Sequence, residues 1–246
     1  MESCYIFEYN SFFYLKVTEI FIESRGQIVK EVITKSKFKE LLFDGMTLMV
    51  GGFLSNGSPE TLIDLVLESG VKNLTIICND GGYVNKGVGK LITARRVKKL
   101  IASHIGTNPT VGELMQTKEV EVVLVPQGTL VEQIRAGGAG LGGILTQTGL
   151  DTIVEENKQI IKVRGIDYIL EEPLKADMSL IGGAIADQYG NLRYIETMRN
   201  FNPVMALAGN KVVAEVKEIV ASLDPEIIIT PHPIVDYIMV GENNGR

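Results

Sequence analysis

The most constraining feature of this chain is a strand, glycine loop, helix and strand that follow one another without interruption over residues 44–78. Asp44–Pro59 reads DGMTLMVGGFLSNGSP, and its apolar run Met46–Val50 is long enough for a strand buried on both faces. The run breaks into Gly51-Gly52-Phe53 and a polar loop to Gly57. Ser58 is expected to N-cap the following helix, with Pro59 at its first position. Within Pro59–Ser69, Leu62, Leu65 and Val66 recur at i, i+3, i+4, and Gly70 supplies the stop. Leu74–Cys78 (LTIIC) is the next strand. A βαβ unit of this kind requires two parallel strands and a right-handed crossover. The junction at Gly51–Pro59 is expected to aim free backbone N–H groups at one spot, which attracts anions and oxyanions.

The rest of the chain extends this unit. Lys35–Phe43 reads as a helix with Phe38, Leu41 and Leu42 on one face, and Asp44-Gly45 as a turn. Leu100–Ile105 and Val120–Val125 look like two further buried strands, with helical segments around Gly89–Val97 and Val111–Gln116. Thr129–Arg135 reads as a short helix running into a glycine-rich turn, Gly137–Gly143. Beyond Gly149 the texture changes. Gln159–Val163 and Tyr168–Leu170 are expected to pair across Arg164-Gly165, and Met178–Ile185 with Leu192–Ile195 across Asp187–Asn191. Val204–Leu207 and Val212–Val216 add helical or strand turns, and Ile227–Thr230 a last strand. The implied architecture is α/β: an open, mostly parallel sheet flanked by helices, with late antiparallel additions, and no internal repeat, linker or low-complexity stretch.

With 45% hydrophobic and 22% charged residues, the 246-residue chain suits one large α/β domain over residues 29–246. Residues 1–28 are rich in Phe and Tyr without a clear period. They are expected to be a non-native or disordered extension, the true start lying near Val29. The formal net charge of -6 argues against nucleic acid as a partner. No apolar stretch approaches the roughly 20 residues of a membrane helix. Two cysteines, Cys4 and Cys78, and two histidines, His104 and His232, stand at no metal-binding spacing, so no metal site is expected. Cys78 sits in an apolar run and reads as a buried, inert thiol. This cysteine usage fits a reducing cytoplasm.

In open α/β sheets ligands gather beyond the carboxyl ends of the strands. Gly51–Gly57, Asn79–Gly82, His104–Pro109 and Gln127–Gly143 all fall there, rich in Gly and Asn and poor in charge. They offer hydrogen bonds and room, but no serine–histidine pair and no carboxylate pair. Gly138–Gly143 satisfies GxGxxG, yet a helix precedes it where a strand is required, so a dinucleotide site is rejected. Arg95–Lys99 reads as a solvated helix end, and His104 as a packed or hydrogen-bonded histidine. Gln127 and Asn79 differ from these: each follows a strand and carries an amide able to donate to an oxyanion. The same amides also serve elsewhere as turn caps, so residue type alone leaves both roles open.

Several blocks resemble a known family. Asp44-Gly45-x-x-Leu48-Met49-Val50-Gly51-Gly52-Phe53-x-x-x-Gly57-x-Pro59 is similar, at every fixed position, to the first signature of the family I coenzyme A transferases. Further agreement lies in Ala102–Pro109, Val125–Leu130, Ile134–Gly140 and Arg199–Pro203, so the resemblance covers about residues 30–240. It implies the alpha subunit of an acetate- or butyrate–acetoacetate transferase, with the succinyl-CoA:3-oxoacid transferases close by. The implied reaction moves CoA from an acyl-CoA to a short-chain carboxylate through a glutamyl-CoA thioester. The implied nucleophilic glutamate lies in a Ser-Glu-Asn-Gly motif of a beta subunit, in an alpha2beta2 heterotetramer. This chain lacks that motif; Glu242-Asn243-Asn244-Gly245 is a near miss in a polar tail.

Carried over by the resemblance, Gly51, Gly52, Phe53, Leu54, Ser55, Asn56 and Gly57 form the CoA-binding segment. Asn79 and Gln127 are the amides near the reacting carbonyl, and Gly138, Ala139 and Gly140 line the acyl pocket. No permanently bound cofactor is implied, since CoA arrives as the substrate thioester. Two other classes remain as alternatives. A sugar-phosphate isomerase or hydrolase of related fold would need its own acid–base residue in the pocket. A non-catalytic nucleotide- or CoA-binding module would use the glycine loops alone.

Overall fold

The computed structural model describes residues 29–242; the extension expected over residues 1–28 lies outside the described residues. β1 (Thr47–Val50), β2 (Leu74–Cys78), β3 (Val97–Ala102) and β4 (Glu121–Leu124) run outward in chain order on one half of a sheet. On the other side of β1 follow β8 (Ala176–Gly182), β11 (Gly209–Val216) and β13 (Tyr237–Val240). All six neighbouring pairs of this seven-stranded sheet are parallel. The order of the strands therefore reverses between β1 and β8, where Val50 pairs with both Cys78 and Leu180.

Helices cover both faces, which is why β1 is apolar and buried from Leu48 to Val50 rather than alternating. Leu48 and Val50 enter one core with Phe38 of α1 (Lys35–Glu40), Leu62, Leu65 and Val66 of α2 (Glu60–Ser69), Leu91 of α3 (Gly89–Thr93) and Val111 of α4 (Pro109–Gln116). Met49 points the other way, into a second core with Leu130 and Ile134 of α5 (Gln127–Ala139) and Met205 of α6 (Asn202–Met205). Two small sheets complete the fold. β5 (Ile144–Thr146), β7 (Ile166–Glu171) and β6 (Ile160–Val163) are antiparallel. β10 (Leu192–Arg193), β9 (Ile185–Asp187) and β12 (Glu218–Val220) form the other.

Several expectations are corrected. Met178–Ile185 does not pair with Leu192–Ile195 as one unit; β8 is a central strand of the parallel sheet, and only β9 pairs locally with β10. β4 is not buried but is the sheet's edge, with Leu124 52% exposed. The last strand is Tyr237–Val240, while Pro225–Ile227 is a 3-10 turn. α5 runs on through Gly137 and Gly138 instead of ending at Arg135. Those glycines permit close packing: a Cβ on Gly138 would lie 2.7 Å from the Leu207 carbonyl oxygen, and one on Gly137 would overlap that of Leu174.

The start of α2 also differs. Pro59, not Ser58, occupies the cap position, with no hydrogen bond from a side chain of its own. Glu215, at the end of β11, supplies the missing acceptor, taking the Leu62 N–H at 3.0 Å and hydrogen bonds from Thr61. Burial pushes the Glu215 carboxyl above its ordinary range, against the pull of those hydrogen bonds.

Candidate functional site

Two consecutive strands end in the same device. Gly51-Gly52-Phe53-Leu54-Ser55-Asn56-Gly57 follows β1, and Gly81-Gly82-Tyr83-Val84-Asn85-Lys86-Gly87 follows β2. In both, the second and last glycines have positive φ: Gly52 118° and Gly57 72°, Gly82 65° and Gly87 60°. Each loop closes by a reciprocal backbone pair. Phe53 and Asn56 exchange N–H···O=C bonds of 3.1 and 2.8 Å, as do Tyr83 and Lys86 at 3.2 and 3.1 Å. The expectation of no internal repeat is thereby corrected at the scale of a seven-residue loop. The turn at Leu54 (φ 47°) and Ser55 (φ 60°) uses left-handed backbone without a glycine, which is strained for L-residues.

A single carboxylate ties the loops together. Asp80, 5% exposed, accepts the Leu54 N–H from the first loop at 2.8 Å and the Gly82 N–H from the second at 2.9 Å. It also takes the Asn79 Nδ2 at 2.8 Å. Asn79 in turn accepts Gln127 Nε2 on its Oδ1 at 2.6 Å. Gln127, Asn79 and Asp80 thus form one chain of hydrogen bonds across the ends of two strands and a helix. Each amide keeps a second N–H beyond the one used in this chain.

Gln127 stands at the first position of α5, whose cap, Pro126, makes no side-chain hydrogen bond. The first intrahelical bond, Leu130 N–H to the Pro126 carbonyl at 2.9 Å, leaves the N–H groups of Gln127, Gly128 and Thr129 without helical acceptors. This end of α5 carries partial positive charge.

A narrow cleft of about 10 Å³ opens between the ends of β1 and β2, lined by Gly51, Gly52, Ser55, Cys78, Asn79 and Asp80 among others. It lies beside the strand-order reversal rather than in it, because the first loop folds across the end of β8 and fills that crevice. A Cβ on Gly182 would overlap the Gly57 carbonyl. The Ser55 hydroxyl is buried with no hydrogen-bond partner among the described residues. Burial, reinforced by the Asp80 charge, pushes the Cys78 thiol well above its ordinary value, so it stays protonated and unreactive, as its sequence context implied.

The structure thus brings Gly51–Gly57, Asn79 and Gln127 to one place, with His104 nearby: its carbonyl takes the Gly81 N–H at 2.9 Å. Gly138, Ala139 and Gly140 are not brought there. They end α5, which rises about 1.5 Å per residue, so Gly140 lies roughly 20 Å along the helix from Gln127.

The expected anion cradle of free N–H groups is also corrected. Carboxylates already occupy it: Asp80 holds the Leu54 N–H and Glu215 the start of α2. Sequence reasoning missed Asp80 because it looked for paired carboxylates. The signal available was the repeated loop, whose second copy Asp80 immediately precedes. Among the described residues no cluster of His, Cys, Asp and Glu is arranged to hold a metal, and no helix is long and apolar enough to cross a membrane.

The family model for coenzyme A transferase matches residues 34–241. The chain is 52% identical over 203 residues to the acetate CoA-transferase subunit alpha of Escherichia coli K12, covering 82% of this chain and 92% of that protein. It is 49% identical over 211 residues to the acetoacetyl-CoA:acetate/butyrate CoA transferase alpha subunit of Clostridium acetobutylicum, covering 85% and 97%. Its fold matches an acyl-CoA transferase from E. coli O157:H7, solved as a thioester complex with CoA. The TM-score is 0.78 at 23% identity, covering 88% of this chain and 48% of that one.

Proposed function

The chain belongs to the coenzyme A transferase family, and from that premise we propose that it is the alpha half of a heteromeric transferase. Its reaction moves CoA between acetyl- or butyryl-CoA and acetoacetate or a related short-chain acid. The observation that carries this reading is a site furnished with donors and lacking a nucleophile among the described residues. Asp80 is engaged by three N–H groups and Cys78 is held protonated. The cleft, about 10 Å³, is also far smaller than the roughly 300–1,000 Å³ of a complete small-molecule site. A partner subunit completes it, and the glutamate of that partner's Ser-Glu-Asn-Gly motif attacks the thioester.

In this scheme the partner's carboxylate adds to the thioester carbonyl and expels CoA thiolate, leaving an acyl-glutamyl anhydride. The thiolate then attacks the glutamyl carbonyl, releasing the free acid and forming the glutamyl-CoA thioester. The acceptor acid takes CoA by the same steps in reverse. Each addition places negative charge on a former carbonyl oxygen. Gln127 and Asn79, pre-aligned by Asp80 and backed by the positive end of α5, are the donors for that charge. The Gly51–Gly57 loop is the CoA wall, and Gly138–Gly140 belongs to an acyl pocket only as far as the partner's docking brings it near. The assembly is an alpha2beta2 heterotetramer working in the cytoplasm.

The test is to trap the intermediate. The co-expressed complex is incubated with acetyl-CoA, reduced with borohydride and mapped by mass spectrometry. The reading predicts one partner glutamate converted to the alcohol. Conversion of a carboxylate on this chain would refute it.

A further inference from the structure

Asn202 sits where the strand order reverses, and its side chain is 0% exposed. Its Oδ1 accepts the Gly182 N–H at the end of β8, 2.9 Å away. Its Nδ2 donates to the carbonyls of Gly57 at 3.1 Å and Met198 at 2.9 Å. The amide thereby uses both donors and its acceptor on three different backbone segments, a pattern that no carboxylate or hydroxyl reproduces.

The first loop is shaped around this amide at both ends. A Cβ on Gly51 would overlap Asn202 Oδ1, and one on Gly57 would stand 3.0 Å from Asn202 Nδ2. The segment leading into Asn202 adds a second strap. Asn200 Nδ2 donates to the Asn56 carbonyl at 2.9 Å, and Asn56 Nδ2 donates to the Thr197 hydroxyl. The second loop is held in a similar way: Asn108, 1% exposed and also followed by proline, donates to the Gly81 carbonyl at 3.0 Å. Two buried Asn-Pro pairs, one per loop, thus act as latches on the repeated device.

We propose that Asn202 is a positioning residue for acyl-CoA. It holds Gly51–Gly57 in the conformation that forms a wall of the cleft, although it touches no substrate itself. The proposal rests on reading that loop as the CoA wall. The loop cannot hold its shape alone, because Leu54 and Ser55 occupy left-handed backbone that their own residue types disfavour. Releasing the latch lets the turn relax toward ordinary backbone, and the wall is lost while the sheet beneath it remains.

The experiment uses the co-expressed complex, with Asn202→Ala and Asn202→Asp as variants and Val204→Ala, in the same short helix, as a control for general destabilisation. Two readouts are taken. The first is KM for acetyl-CoA against KM for acetoacetate. In the Asn202 variants the former rises about tenfold and the latter stays within about twofold, whereas Val204→Ala shifts neither. The second is hydrogen exchange of the 51–57 amides, which accelerates in both Asn202 variants and not in the control. Gly51→Ala supplies a coupling test. It impairs acetyl-CoA binding in the parent but adds little to Asn202→Ala, where the overlapping oxygen is gone.

Unchanged KM for acetyl-CoA and unchanged exchange in a folded Asn202 variant would overturn the proposal, as would an equal rise in Val204→Ala. If Asn202→Ala does not fold, Asn202→Asp carries the test. A parent complex without transferase activity would instead refute the functional reading, and the exchange readout would still decide whether Asn202 is the latch.

Discussion

Replacing Asp80 by asparagine should loosen both glycine loops at once. Asp80 Oδ2 accepts from Leu54 N–H and Asn79 Nδ2, and Oδ1 from Gly82 N–H, all within 2.9 Å and with the residue 5% exposed. If the amide oxygen takes the Oδ2 place, two charge-assisted bonds weaken to neutral ones, a loss of about 1 kcal/mol each. The new NH2 then faces the Gly82 N–H and leaves a buried donor unmet, at about 1–3 kcal/mol. The sum, about 3–5 kcal/mol, is a large part of the ~5–15 kcal/mol that holds a domain together. With a denaturant slope of about 3 kcal/mol/M, the urea midpoint should fall by about 1–1.7 M at fixed protein concentration. Urea unfolding of the co-purified complex, followed by far-UV circular dichroism, reads this directly. A midpoint within about 0.2 M of the parent would show that Asp80 does not bind the loops together, and the account of the site would lose its central tie.

Three further outcomes are expected. Gln127→Ala should lower turnover by a factor of about 10²–10³ with a smaller change in CoA binding, since the donor acts on charge present only in the transition state; steady-state kinetics with a CoA-binding measurement checks it. Glu215→Ala should destabilise by about 1 kcal/mol through loss of the α2 cap, while Glu215→Gln, which keeps the acceptor, should not. The folded chain holds the Glu215 proton more tightly than the unfolded chain does, so stability from this group falls as pH rises from the ordinary carboxyl value through the raised one. Parent and Glu215→Gln melts compared across that range should therefore converge or cross in the parent's favour toward acid. Gly138→Ala should destabilise by about 1–3 kcal/mol despite alanine's better helix propensity, because its Cβ would press on the Leu207 carbonyl at 2.7 Å; thermal unfolding checks it.

The parts of this molecule that were legible in sequence are those in which local pattern and final environment agree. Leu74–Cys78 and Gly70 behave as their residue types demand, because a two-faced parallel strand and a left-handed helix stop each need only local chemistry. β8 was misread because its partners, β1 and β11, are distant in sequence, whereas a turn and a second apolar run stood conveniently close. Gly137 and Gly138 were read as a turn, since sequence shows the absence of a side chain and not the backbone that fills its place. At the site, the amides of Gln127 and Asn79 could be singled out by position after strands. Glu215 and Asn202 could not, because each derives its role from N–H or C=O groups contributed by segments elsewhere in the chain.

The proposed function makes this chain one half of a shared site, and reconstitution is its most direct test. The purified chain, a beta subunit carrying the Ser-Glu-Asn-Gly motif, and the two mixed are each assayed with acetyl-CoA and acetoacetate. Transfer should appear only in the mixture, with each chain inert alone. Transferase activity in this chain without a partner would contradict the claim, because the nucleophile would then have to lie within it.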